Sequence, residues 1–138
     1  MVPDPDSGAR GLIHAVNMEE TYRRRLVRGR DFNDWHPQLE QWWAAQDYAA
    51  ILGLLSEIIT AAEALQQYDD REPQAYWYVQ AAKAHAHLGD HAAAVSVLER
   101  WFRYWPTERI RFDRAPQRMQ RLLDAARTAT TENPETLF

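Results

Sequence analysis

Between Asp47 and Gln67 the chain reads DYAAILGLLSEIITAAEALQQ, and Tyr48, Ile51, Leu52, Leu55, Ile58, Ile59 and Ala62 recur at three- and four-residue intervals. A strand sends successive side chains to opposite faces, so this spacing excludes a strand and predicts a helix of about twenty residues with one continuous apolar stripe. Such a stripe must be covered by other apolar faces. The rest of the chain supplies them in the same helical grammar. Asn17, with Glu20 three residues on, opens a short helix whose Met18, Tyr22 and Leu26 share a face and whose far end falls at Gly29. Asp34 is placed to cap a helix carrying Trp35, Leu39, Trp42 and Trp43, with Pro37 tolerated in its first turn. Asp70 and Pro73 open a helix over 72–88, burying Ala75, Tyr78, Val79, Ala82 and His85. Asp90 opens one that buries His91, Ala94, Val95, Leu98, Trp101, Phe102 and Trp105 before Pro106. Asp113 opens the last, with Met119, Leu122, Leu123 and Ala126 as its stripe.

No stretch shows sustained two-residue alternation, so the fold class is all-α, five to six helices arranged as antiparallel hairpins. The 138 residues make one domain, 17–128, with a flexible lead-in over 1–16 and a flexible tail over 129–138. There is no cysteine, which excludes disulfides, thiol nucleophiles and cysteine-bound zinc. No apolar run reaches a membrane span, and a cytoplasmic location is expected.

A repeat emerges when WHPQLEQWWAAQDYAAILGLL is laid over YVQAAKAHAHLGDHAAAVSVL at an offset of 43 residues. Asp47 then meets Asp90, Tyr48 meets His91, Ala49 and Ala50 meet Ala92 and Ala93, and Leu55 meets Leu98. In both copies an aspartate caps the second helix and small residues follow, which lets two helices approach closely. The second copy resembles a tetratricopeptide repeat: Tyr78, Ala81, Ala82, His85, Ala94, Leu98 and Pro106 match that family's spacing of large, small and closing residues, and Gly89-Asp90 its turn. Ala81, Ala82 and His85 depart from the leucine, glycine and tyrosine usual there. The resemblance implies stacked helix pairs whose first helices line a concave groove for a peptide. It assigns to that groove Tyr76, Val79, Lys83 and Ala86.

Adjacent aromatic pairs such as Trp42-Trp43 and Tyr76-Trp77 are expected to give one ring to the core and one to a partner, which adds Trp43 and Trp77 to the candidate contacts. His85 and His87 point to different sides of a helix, and the Gly89-Asp90 turn separates His87 from His91, so no metal site is expected. Asp69 and Asp70 read as capping residues, and Glu57 and Glu63 as the solvent edge of their helix. With no phosphate loop or nucleophile elbow, neither enzyme activity nor a cofactor is expected.

Charge is segregated. Residues 31–99 carry eleven acids against two bases, and 100–127 carry eight arginines against three acids. Arg24 and Arg28 lie one turn apart in RRRLVRGR, and Arg114, Arg118 and Arg121 form a second helical row; both are candidate contacts for an acidic partner or phosphates. The sequence pI of about 5.7 argues against nucleic acid. The expected role is a non-catalytic protein-interaction module or small regulator that binds a protein or peptide, with an acidic partner suiting the arginines. The alternatives are a homodimeric structural protein and a nucleic-acid-associated regulator.

Overall fold

A computed structural model describes residues 18–67, 73–105 and 114–129. The expected lead-in, the Asn17, Asp70 and Asp113 caps, and Pro106 lie outside these residues, as does the expected tail apart from Ala129, which is buried. The chain is all-α: α1 spans residues 18–24, α2 His36–Ala44, α3 Tyr48–Ala64, α4 Ala75–His87, α5 His91–Phe102 and α6 Arg114–Thr128. Each helix from α2 onward packs on the next.

The two short turns are built alike. Gln46 and Gly89, 43 residues apart, both take a positive φ (57° and 76°), and an aspartate follows each. Asp47 accepts a hydrogen bond from the Ala50 N–H at 3.2 Å, and Asp90 from the Ala93 N–H at 3.1 Å. A left-handed residue reverses the chain and the carboxylate then satisfies an orphan N–H of the next helix, so both pairs close as hairpins. Equivalent helices of the two hairpins run side by side in the same direction. His36 lies 5.3 Å from the Tyr76 ring and Trp43 lies 6.1 Å from His87, which aligns α2 with α4 at both ends. Arg100 clamps Glu63, and Gln66 donates to the Tyr104 carbonyl at 3.2 Å, which brings the ends of α3 and α5 together.

The core runs through Ile51, Leu54, Leu55, Ile58, Trp77, Tyr78, Leu98, Trp101 and Met119, all essentially inaccessible. Leu54 lies off the expected stripe and is fully buried, whereas Leu52 on the stripe is half-buried: α3 is covered by α2 and α4 and, on a third side, by the N-terminal segment. Similarly, α4 lies between α3 and α5. Two neighbouring positions 100° apart, Trp77 and Tyr78, are therefore both buried. The Trp101 indole donates to the Pro73 carbonyl at 3.0 Å, and Pro73 precedes a helix that starts at Ala75 instead of 72.

The N-terminal segment corrects the expected helix to Gly29. After α1, β1 (Leu26–Val27) and β2 (Arg30–Asp31) pair antiparallel around Arg28 (φ 53°) and Gly29 (φ 82°). Two central residues with positive φ are the signature of a tight hairpin turn whose twist suits antiparallel strands. Met18 and Tyr22 are exposed, at 60% and 63%, and so do not form a buried stripe with Leu26. Asp31, not Asp34, supplies the cap, accepting from the Asn33 N–H at 3.0 Å at the start of a single 3-10 turn, Phe32–Trp35, that leads into α2.

Candidate partner-binding groove

The arginines of RRRLVRGR have partners within the chain. Arg23 reaches Glu19 at 2.8 Å and Glu20 at 3.3 Å, and Arg24 lies 3.8 Å from Glu20. Arg25 donates to Asp31 at 2.9 Å and lies 5.2 Å from the Phe32 ring centre. Arg28 donates to Glu57 on α3 at 2.8 Å, and Arg30 covers the Trp35 ring at 4.6 Å. Burial alone would raise the pKa of Asp31, but the Arg25 hydrogen bond, the Asn33 N–H and the Arg25 charge outweigh it and hold the carboxyl's pKa below its ordinary value. The Arg28–Glu57 pair ties the hairpin to α3, and Arg25 and Arg30 tie it to the turn that leads into α2.

The second row has a different setting. Arg114, Arg118 and Arg121 are exposed on α6 and form one wall of a groove of about 730 Å³ whose other wall is α4. Ala75, Tyr76, Val79 and Gln80 face them from α4; Ala115, Gln117 and Met119 complete the lining from α6. Among the described residues none of the three guanidiniums has a carboxylate within ion-pair distance. Asp124, one turn beyond, is held by Gln120 at 3.0 Å and lies 3.9 Å from Arg127. Tyr76 is 44% exposed and bridges two surfaces, its ring touching His36 of α2 while it lines the groove. Burial and then the negative charge of Glu40 raise its hydroxyl above the ordinary tyrosine value, which leaves it a neutral donor.

The expected contact residues separate accordingly. Tyr76 and Val79 line the groove, together with Arg114, Arg118 and Arg121. Trp43 is half-buried at the far end of the α2–α4 face, where Lys83 places its ammonium 5.1 Å from the Trp43 ring centre. Ala86 is buried at 4% and Trp77 at 0%, so neither is a partner contact. Trp77 is enclosed by Phe32, with ring centres 6.0 Å apart and edge to face, and by a stacked His36 at 5.0 Å, both contributed by the segment leading into α2. Arg24 and Arg28 are engaged as described. Gln80, Ala115 and Gln117 escaped the sequence reading, and Met119 was assigned only to the core, because nothing local shows that α6 returns alongside the first half of α4.

The histidines are dispersed. His87 stacks on Tyr48 at 4.8 Å, next to the first turn. His85 lines a smaller hollow of about 330 Å³ on the opposite side of α4, between α3 and α5, with Ser56, Ser96 and Arg100. Burial lowers the His85 pKa against the opposing pull of Asp90. Among the described residues no three histidine, aspartate or glutamate side chains converge as metal ligands, and no helix is long and apolar enough to cross a membrane. Glu63, expected on the solvent edge, is instead 7% exposed in its side chain and clamped by Arg100, and it helps raise the hydroxyl of fully buried Tyr78 far above the ordinary range, after burial itself. The chain matches no known family model, no curated protein and no solved structure.

Proposed function

We propose that the chain is a non-catalytic protein-interaction module, a short tetratricopeptide-like array that binds a peptide or protein segment in the groove between α4 and α6. The observation that carries this reading is the groove itself: open, partly apolar, with a half-exposed tyrosine on one wall and three arginines on the other. A concave surface with a few polar groups among apolar ones is the general form of a recognition site. The matched turns at an offset of 43 residues and the parallel course of α2 and α4 support the repeat reading.

Site-specific photocrosslinking in cells that make the chain tests this. A benzophenone side chain placed at Val79, in the groove, is expected to yield discrete adducts with another polypeptide. The same group at Ser96, on the opposite side, yields none. Equal labelling from both positions, or none from Val79, contradicts the proposal.

A further inference from the structure

We infer that the groove selects an acidic segment in extended conformation, with carboxylates at alternate positions and apolar side chains between them. This rests on the proposed binding role and specifies its ligand.

Arg114, Arg118 and Arg121 occupy one row of α6, separated along the helix axis by about 6 Å and about 4.5 Å at 1.5 Å per residue. In an extended peptide, side chains on one face recur every two residues, or about 6.6 Å. The first step matches nearly in register and the second is about 2 Å shorter, a difference the flexible arginine side chains can span, while the intervening side chains turn toward the rest of the lining. That remainder suits apolar groups, because Ala75, Val79 and Met119 contribute to it. Three like charges spaced at i, i+4 and i+7 repel one another, which destabilises an isolated helix slightly. Among the described residues no carboxylate relieves them, and an external anion would.

A short acidic segment fits better than a nucleic acid. The positive row extends only about 10 Å. On the Tyr76 side of the groove stands the negative Glu40 of α2, whose charge reaches the tyrosine hydroxyl. The whole chain is also net negative, at −4. A long polyanion extending past Tyr76 would leave the arginines and approach the Glu40 carboxylate, whereas three alternating acids would not.

The test uses the full chain and fluorescence anisotropy with labelled capped hexapeptides: glutamate alternating with leucine and phenylalanine, and the same peptide with every glutamate replaced by glutamine. The acidic peptide is expected to bind about ten- to a hundredfold more tightly than its glutamine counterpart, an advantage that shrinks as salt rises. The triple variant Arg114→Glu, Arg118→Glu, Arg121→Glu, checked for an unchanged circular dichroism spectrum and melting midpoint, is expected to remove that preference. Tyr76→Ala is expected to weaken both peptides alike. Equal binding of the two peptides, with both lost in Tyr76→Ala, would overturn the charge selection while leaving the groove as the binding surface. Absence of binding to the acidic peptide at millimolar concentration, or tighter binding of a single-stranded oligonucleotide than of the peptide, would overturn the inference as well. In that case the crosslinking at Val79 separately decides whether the groove binds anything.

Discussion

The two arginine-rich stretches look interchangeable as sequence and do opposite things in the fold. In RRRLVRGR the guanidiniums engage Glu19, Glu20, Asp31 and Glu57, and the rings of Phe32 and Trp35. On α6 the row Arg114, Arg118 and Arg121 faces a groove and meets no carboxylate among the described residues. A cation's role is set by what the fold brings within about 4 Å of it, more than by how many neighbours share its sign. The first stretch is thus part of what holds the N-terminal hairpin in place, and the second lines an open groove.

That contrast can be broken most forcefully at Trp35, where the hairpin enters the core. The side chain is 9% exposed, its indole donates to the Val27 carbonyl at 3.0 Å, and Arg30 lies on its face. Trp35→Ala is expected to cost about 3–5 kcal/mol in a urea titration; a loss under 1 kcal/mol would mean that the hairpin is not integral to the fold. Gly29→Ala comes next, at about 1–2 kcal/mol. At Gly29 an added methyl group would touch nothing within 4 Å, so any loss reports on the positive φ of the turn alone.

A smaller effect should appear with pH. Because the folded-state pKa of Asp31 is lowered, its contribution is fully present above the ordinary aspartate range and is lost as pH falls through the depressed folded value. Stability should therefore decline below about pH 4, and Asp31→Asn should flatten that slope in acid while lowering stability at neutral pH. An unchanged acid slope would show the Arg25–Asp31 pair to be idle. The smallest effect belongs to the groove: Arg118→Ala is expected to change the unfolding free energy by less than about 0.5 kcal/mol.

The helical pattern of α3 was legible because seven apolar residues repeat at one spacing, and both turns were legible because an aspartate begins each following helix. The hairpin at 26–31 was not. Arg28-Gly29 lacks the asparagine or aspartate that usually announces such a turn, and the strands are two residues each, too short for alternation to register. Trp77 was misassigned for a different reason. In Tyr76-Trp77-Tyr78 the helical period permits any one ring to face outward, and only the packing of Phe32 and His36 from more than 40 residues upstream settles which. Tyr76, Val79 and the α6 row were individually visible as candidates. Their meeting in one groove depends on how α6 lies across α5 toward α4, and neither helix encodes that alone.

The most direct test of the account measures two quantities on two charge reversals, Arg25→Glu and Arg118→Glu: the urea midpoint of each variant and its affinity for the acidic hexapeptide. Arg25→Glu should lower the midpoint and leave affinity within about twofold of the parent, because it breaks an internal pair whose members do not line the groove. Arg118→Glu should leave the midpoint in place and weaken the peptide about tenfold. If Arg118→Glu instead lowers the midpoint and spares the peptide, the α6 row is a structural feature and the groove is not the binding surface.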